Sequence, residues 1–479
     1  MGPNVVLICV DQWRGDCLSG AGHPVVMTPY LDGWMNTGTR FTHAYSATPT
    51  CVPARAALFT GLAQENHGRV GYRDGVPWRY PVTLAGEFSR RGYQTQAVGK
   101  MHVYPERQSM GFENVALHDG YMHFGRREHY DDITEVDDYL PWLRERLGYP
   151  EADYAEHGVD CNSVVARPWD KPEYVHPTNW IATRSVQFLR ERDSERPFFL
   201  YASFHRPHPP YDPPAWAFEQ YLHEEMPEPV VGDWAETLAE YGKPGDPSSA
   251  VATLPPRMLQ RARAGYYGHM SHIDQQISRL FEELRATGEW ENTVVCFVSD
   301  HGELMGDHHL FRKSLPYEGS ARVPFIIAGP GIPSGVTCDD VVELRDVMPT
   351  LLDAAGLPAP ESIDGRSALS AARGNAASWR RYIHGEHVAF GQSVQWVTDG
   401  REKYIWFSGR GIEQYFDLTT DPNEATDLAG EASCADRVAV WRARLVEELA
   451  GRPEGFVQDG RLVTGRPVDA LIPDHPAVR

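Results

Sequence analysis

Short apolar runs alternate with amphipathic segments along most of the chain. The runs are rich in β-branched residues and lie at residues 5–10, 94–98, 198–204, 294–298 and 325–328. Runs of this kind are typical of parallel strands that are buried on both faces of a sheet. The clearest amphipathic segment carries its apolar residues on one helical face, at Ile273, Ile277, Leu280, Phe281 and Leu284. The alternation predicts an α/β fold with a large, mostly parallel sheet sandwiched by helices.

The pattern changes after about residue 370. Strand-like stretches at 382–384, 394–398, 403–407 and 413–417 are separated by short turns, as in an antiparallel meander. One helix follows, and its apolar face consists of Val438, Trp441, Leu445 and Leu449. Because 479 residues exceed the usual size of one domain, we predict a large α/β domain over 1–370 and a subdomain over 371–479 with a small antiparallel sheet and a helix.

Charge and cysteine usage exclude several classes of protein. The formal net charge of -21 argues against nucleic-acid binding, so any anionic ligand needs a local site of positive charge. The seven cysteines contain no CxxC pair, which predicts that most are reduced and buried. No run reaches transmembrane length and no leader precedes the first strand. These features predict a cytoplasmic protein, or a periplasmic or secreted one if a signal peptide has been removed.

Two strands end in side chains that bind cations. Asp11 and Gln12 follow the first predicted strand, and Asp300 and His301 follow the strand at 294–298. The carboxyl ends of parallel strands form the edge where ligands bind. Carboxylate and amide oxygens suit Ca²⁺, with Mg²⁺ or Mn²⁺ as lesser candidates. Helix capping by Asp11 and a structural ion-pair network around Asp300 are the alternatives.

The most specific segment runs from Cys51 to Gly61 and reads CVPARAALFTG. A thiol, a proline and Arg55 at the start of an amphipathic helix suggest a cysteine nucleophile of low pKa, or else one more buried cysteine. The segment closely resembles the signature of the sulfatase family of the alkaline phosphatase superfamily, Cys-x-Pro-x-Arg with a Thr-Gly ending. In that family a maturing enzyme oxidises this cysteine to formylglycine.

Further segments match the family in order and spacing between residue 3 and about 430. They include GYQT at 92–95, GKMH at 99–102, FHRPHPPY at 204–211, and GDHH at 306–309 with Lys313. The resemblance assigns Lys100 and His102 to the substrate anion, and a histidine that faces the substrate to His208, with His205 as the alternative. The sequence departs from the commonest pattern at three positions, Gln12, Met101 and His301.

The resemblance implies hydrolysis of a sulfate ester, of a sulfated saccharide or an aryl sulfate, with Ca²⁺ held by Asp11, Gln12, Asp300 and His301. The catalytic residues it implies are Cys51, Arg55, Lys100, His102, His208 and Lys313. Some phosphonate monoester hydrolases of the superfamily share Gln12 and His301, so hydrolysis of phosphonate monoesters or phosphodiesters is the alternative. A non-enzymatic anion-binding relative is disfavoured because the nucleophile and metal ligands are present. A homo-oligomer is compatible with this assignment.

The segment from 104 to 175 shows little periodicity and predicts long surface loops. Aromatic and histidine side chains in and near it form a candidate carbohydrate subsite, with local core as the alternative. They are Tyr72, Trp78, His118, Tyr121, His123 and His129.

Overall fold

A computed structural model describes residues 2–120, 132–154, 158–374 and 379–479. Its main feature is an eight-stranded sheet with strand order β5-β4-β6-β1-β7-β8-β2-β9. These strands are β1 (Asn4–Asp11), β2 (Thr39–Phe41), β4 (Gln94–Gly99), β5 (Asn114–Leu117), β6 (Phe198–Pro207), β7 (Thr293–Ser299), β8 (Phe325–Ala328) and β9 (Val336–Cys338). A separate two-stranded pair consists of β3 (Ala44–Tyr45) and β10 (Val342–Glu343).

Five neighbouring strands, β5, β4, β6, β1 and β7, are parallel to one another. Strand β8 is antiparallel to both of its neighbours, β7 and β2. Every residue of β1 is buried, as expected for a central strand covered on both faces. Alternate side chains of β1 enter two different apolar clusters, one on each face of the sheet. The predicted large, mostly parallel sheet is therefore confirmed.

Helices cover both faces of this sheet. One face packs on α6 and α8, and the other on α2, α4 and α10. The helices are α1 (Pro29–Met35), α2 (Cys51–Thr60), α3 (Gln64–His67), α4 (Leu84–Arg90), α5 (Tyr139–Leu147), α6 (Pro177–Glu191), α7 (Ala215–Leu222), α8 (Pro256–Ala286), α9 (Glu318–Ala321), α10 (Val347–Ala354), α11 (Leu369–Ala372) and α12 (Ala435–Leu449). Within the described ranges, none of the helices is long and apolar enough to cross a membrane.

A smaller antiparallel sheet follows in the C-terminal part of the chain. It consists of β11 (Ile383–Ala389), β12 (Gln392–Thr398), β13 (Glu402–Phe407) and β14 (Ile412–Asp417), which pair in chain order. Its outer face packs on the predicted face of α12. Its inner face shares an apolar cluster with Tyr45, Trp234 and Tyr317 of the preceding part of the chain. A short hairpin, β15 (Val457–Gln458) and β16 (Arg461–Leu462), lies near the end.

The segment from 104 to 175 differs from the predicted run of surface loops. It contains β5 at one edge of the large sheet and the helix α5, whose residues Tyr139, Leu140 and Leu143 are fully buried in the core. The periodicity of the sequence did not reveal this helix, because only three of its nine residues are buried and a proline lies in its first turn.

Candidate active site

The N-terminus of α2 carries Cys51 to the C-terminal edge of the large sheet. The thiol is buried, with 3% of the residue exposed. Arg55 lies one turn later, on the same face of the helix. Its Nε donates a hydrogen bond to Asp300 Oδ2 at 3.0 Å, and its Nη1 donates to the Tyr201 hydroxyl at 2.8 Å. The predicted nucleophile and arginine therefore share one site with a strand-end carboxylate.

Two carboxylates meet beside Cys51 because β1 and β7 are parallel and pair in register up to the residues before Asp11 and Asp300. His301 Nε2 lies 3.4 Å from Asp11 Oδ1 and 3.6 Å from Asp300 Oδ1. The Sγ of Cys51 lies 3.3 Å from the same nitrogen. One ligand atom of each of these four residues lies within 4.8 Å of the others.

This donor set fits a divalent cation. Asp11, Asp300 and His301 are fully buried, and buried charges are normally paired or bound to a metal. Burial lowers the pKa of His301, but Asp300 and Cys51 together outweigh burial and raise the pKa above its ordinary value. The same negative potential would attract a cation, and carboxylate oxygens with one imidazole suit Ca²⁺ or Mn²⁺.

Gln12 adjoins the cluster but its side chain makes other contacts. Its backbone has a φ of 73°, and its N–H donates to Asp300 Oδ1 at 3.2 Å. Its side-chain oxygen accepts a hydrogen bond from Lys313 Nζ at 2.7 Å, and its side-chain nitrogen donates to Glu303. Gln12 thus connects Asp300 to the ammonium group of Lys313. Its role as a direct metal ligand stays a prediction.

Positive charge surrounds the thiol. Lys100 Nζ forms an ion pair with Asp11 Oδ2. Burial and Asp11 raise the pKa of the Cys51 thiol, but the positive charges of Lys100, Lys313 and His301 together outweigh them, so the pKa lies below its ordinary value. Burial also raises the pKa of Asp11, yet Lys100 and His208 hold it well below its usual range. The site therefore stabilises negative charge at position 51.

Of the two candidate histidines, His205 in β6 and His208 just after it, His208 faces the site. It lines the cavity above Cys51, and its backbone N–H donates to the carbonyl of Asp11 at 3.1 Å. Its Nδ1 lies 2.9 Å from the carbonyl oxygen of Pro209, so this nitrogen carries the proton of the neutral ring. His205 is instead buried with its ring centroid 4.7 Å from that of His118, outside the cavity lining.

His102 lines the same cavity as Lys100 and lies three residues after the last residue of β4. Its backbone has a φ of 56°, and its N–H donates to Asp119 Oδ1 at 2.9 Å. The ring of Tyr72 lies edge-on to the His102 ring, with centroids 5.9 Å apart. The turn therefore places both members of the predicted Lys-x-His pair above residue 51.

A buried ion pair supports the loop that carries His208. Arg206 Nη2 lies 2.8 Å from Asp212 Oδ1, and neither side chain is exposed. The backbone N–H of Asp212 donates to His269 Nε2 at 3.0 Å, which ties the loop to α8. Sequence analysis did not identify this brace, because its three residues are separated by up to 63 positions and show no local pattern.

The cavity has a volume of about 590 Å³. Five predicted catalytic residues line it, namely Cys51, Lys100, His102, His208 and Lys313, while Arg55 and the predicted metal ligands lie beneath them. Sequence analysis missed the remaining lining residues, apart from Tyr72. They are Thr50, Cys161, Asn162, Ala250, Arg312, Ser314, Leu315, Val388, Ala389 and Phe390. Gly391, between two strand-like stretches, was a local signal for a turn near the site.

Of the three described residues of the candidate carbohydrate subsite, two belong to the core. Trp78 is 2% exposed and His118 is fully buried, so neither can bind a sugar from solution. Tyr72 is 46% exposed and lines the cavity. Tyr121, His123 and His129 lie outside the described residues.

Comparison with known proteins gives matches over the whole chain. The sulfatase family model matches residues 3–357, and a model described as N-sulphoglucosamine sulphohydrolase, C-terminal, matches residues 306–450. An arylsulfatase of Clostridium perfringens (strain 13 / Type A) is 48% identical, over 98% of this chain and 99% of its own length.

Two other similarities concern the same superfamily. The multifunctional alkaline phosphatase superfamily protein PehA of Trinickia caryophylli is 30% identical, over 90% of this chain and 92% of its own. The crystal structure of the phosphonate monoester hydrolase of Agrobacterium radiobacter superimposes with a TM-score of 0.78 at 27% identity, covering 97% of this chain and all of that chain.

Proposed function

The chain belongs to the sulfatase family of the alkaline phosphatase superfamily, and we propose that it is a sulfuric ester hydrolase whose nucleophile is formylglycine made from Cys51. One observation carries the proposal. The thiol lies at the floor of a cavity, 3.3 Å from His301 Nε2 and 3.8 Å from Asp11 Oδ1. Lys100 and Lys313 lower its pKa, so the place where an oxyanion would form is already electropositive.

Addition of one water to the formylglycine aldehyde would give a hydrate with two geminal hydroxyls, of which one would attack sulfur as the ester oxygen leaves, and the other would later lose its proton so that sulfate leaves and the aldehyde returns. In this scheme Arg55, Lys100 and Lys313 neutralise the transferring group. Lys313 donates the proton to the departing alcohol, because the Nδ1 proton of His208 is engaged by the carbonyl of Pro209. His208 then orients the leaving oxygen, and His102 accepts the proton from the second hydroxyl.

We assign the metal as Ca²⁺, with Mn²⁺ and Mg²⁺ as lesser candidates. Asp11, Asp300 and His301 would hold it, with Gln12 beside them. A bound divalent cation would lower the pKa of the attacking hydroxyl and orient the sulfonyl oxygens. The oxygen-rich donor set supports Ca²⁺. We also propose that a maturing enzyme converts Cys51, that the protein is cytoplasmic and that it forms a homo-oligomer.

The proposal is tested on protein made together with a formylglycine-generating enzyme. The peptide that contains residue 51 should show the mass change from thiol to aldehyde, and sulfate release from 4-nitrophenyl sulfate should rise with the converted fraction. Metal analysis of that protein should find one divalent cation per chain. The Cys51→Ala variant is the matched control and should release no sulfate above background.

Full turnover by wholly unconverted protein would overturn the nucleophile assignment, since a thiol has no geminal hydroxyl. The alternative function is phosphonate monoester hydrolysis, which the resemblance of the Gln12 and His301 positions to such enzymes favours. It replaces our proposal if kcat/KM for an aryl phosphonate ester exceeds that for the aryl sulfate by a wide margin.

A further inference from the structure

The cavity above residue 51 has two chemically different parts. One part consists of the proposed anion-binding residues Cys51, Lys100, His102, His208 and Lys313. The rest of the lining is mainly apolar, with Tyr72, Ala250, Leu315, Val388, Ala389 and Phe390, and it also includes Thr50, Cys161, Asn162, Arg312 and Ser314. The part of a substrate that points away from the sulfate group therefore meets mostly carbon surface.

Among the described residues, no aspartate or glutamate lines this cavity. A cationic leaving group would find no counter-charge there, and Arg312 and Lys313 would repel it. A sugar presents several hydroxyls, and those that pack against the apolar side chains would be buried without partners, which is costly. The wall thus favours a neutral or anionic leaving group of low polarity.

Phe390 occupies a backbone position that its residue type disfavours. Ala389, the last residue of β11, pairs with Gln392, the first residue of β12. Phe390 and Gly391 between them therefore form a two-residue hairpin turn. Their φ angles are 53° and 72°. Turns with two positive φ angles prefer Asn, Asp or Gly, and a bulky aromatic residue at the first position is rare. Such a departure beside a cavity points to a use for the side chain.

The Phe390 ring is held in place before any substrate arrives. The ring of Tyr241 stacks on it, with centroids 4.5 Å apart and an interplanar angle of 10°. The Arg410 guanidinium lies 5.8 Å from the Tyr241 centroid and donates to the carbonyl of Thr237 at 2.7 Å. A ring that is fixed in this way loses little conformational freedom when a second ring packs against it.

We propose that Phe390 is a specificity-determining residue, which provides a platform for the planar aromatic leaving group of an aryl sulfate. The inference rests on the proposed sulfate-ester hydrolysis and extends it to the class of alcohol released. The C-terminal sheet supplies this platform through its β11–β12 hairpin. Loss of one aromatic packing partner should lower kcat/KM for an aryl sulfate by about tenfold.

The test compares Phe390→Asn, Phe390→Tyr and the parent enzyme. Asparagine suits the turn, so Phe390→Asn should keep or raise the Tm while kcat/KM for 4-nitrophenyl sulfate falls by about tenfold. The Ki of inorganic sulfate, which has no leaving group, should stay the same. Phe390→Tyr keeps the ring and should behave like the parent. Tyr174→Asn is the matched control, because it removes an exposed ring that contacts Arg146 outside the cavity lining.

An unchanged kcat/KM in Phe390→Asn would overturn the proposal. So would a parallel fall in Tm, sulfate affinity and kcat/KM, since that pattern indicates a structural role. Absence of sulfate release by the parent contradicts the proposed function instead. The platform can then still be tested with an aryl phosphonate ester, for which the same tenfold loss supports it and no loss rejects it.

Discussion

Individual cationic side chains, such as that of Lys100, provide local positive charge near residue 51 in a protein whose formal net charge is -21. Lys100 is 3% exposed and pairs with Asp11, and Asp11 raises the pKa of Lys100 against the effect of burial. The ammonium group is therefore charged at neutral pH. Such a fixed cation in a buried site stabilises developing negative charge more than a mobile one in water does.

Replacement of Lys100 and of His102 by alanine should impair different steps of the reaction. Lys100→Ala removes a cation that we propose acts on the transferring group, so kcat and kcat/KM should fall together, by about a hundredfold or more. His102→Ala removes the proposed base for the release of sulfate, so a sulfated form of residue 51 should accumulate. Steady-state kinetics and intact-protein mass spectrometry distinguish the two outcomes.

Lys243→Ala is the control for loss of a positive charge alone, because Lys243 is exposed and outside the cavity lining. It should retain the parent kinetics. If both site variants kept near-normal sulfate release, the assignment of the Lys-x-His pair would be wrong. Accumulation of the sulfated form in Lys100→Ala rather than in His102→Ala would exchange the two roles.

At the scale of single residues, the sequence predicted site residues where they belong to a specific motif. Cys51, Lys100 and His208 were predicted from short segments of fixed spacing, and each lines the cavity. Phe390 belongs to no such segment. Its position depends on two positive φ angles and on a stack with Tyr241, which is 149 residues away, and neither feature can be derived from local periodicity.

Elements bring the charged residues together through the register of the sheet. The strand ends that carry Asp11 and Asp300 could be predicted to meet because parallel strands present their carboxyl ends at one edge. The support of the loop after β6, which carries His208, could not be predicted. Its buried Arg206–Asp212 pair and the contact to His269 depend on how α8 packs against the end of β6.

Asp212→Asn should destabilise the protein strongly. The change leaves the Arg206 guanidinium buried without its counter-charge, which costs about 3–5 kcal/mol of unfolding free energy. Urea denaturation measures the loss. Glu113→Gln is the matched control, because it removes the acid from the exposed Arg196–Glu113 pair, and we expect it to cost at most about 1 kcal/mol. Equal losses in the two variants would rule out the brace.

Across the whole molecule, the C-terminal sheet is joined to the catalytic part by polar contacts as well as by the shared apolar cluster. His387 Nε2 lies 2.8 Å from the hydroxyl of Thr50, the residue before the nucleophile. Lys403 Nζ lies 2.8 Å from Glu318 Oε1 and 2.7 Å from Glu424 Oε1. The antiparallel sheet itself was predicted from alternation, but contacts between separate sheets leave no periodic trace in a sequence.

The buried cluster at this junction should make stability depend on pH. Burial raises the pKa of Glu424 to about 7, helped by Glu318 and opposed by Lys403. The folded protein therefore holds a proton that the unfolded chain releases near pH 4.3, the ordinary value for glutamate, which is about 3 units lower. The stability from this proton is present below the ordinary pKa and is lost as the pH rises through about 7.

Glu424→Gln should remove this dependence, because an amide does not titrate. Glu318, whose pKa is lowered, has the opposite dependence but is present in both proteins and cancels to first order. Relative to the variant, the parent should lose on the order of 2 kcal/mol of unfolding free energy between about pH 5 and pH 8. Urea denaturation at these two pH values measures the difference, with Glu361→Gln as an exposed control. Parallel curves for the parent and Glu424→Gln would mean that Glu424 stays ionised in the folded protein, and that Lys403 compensates the charge of both glutamates.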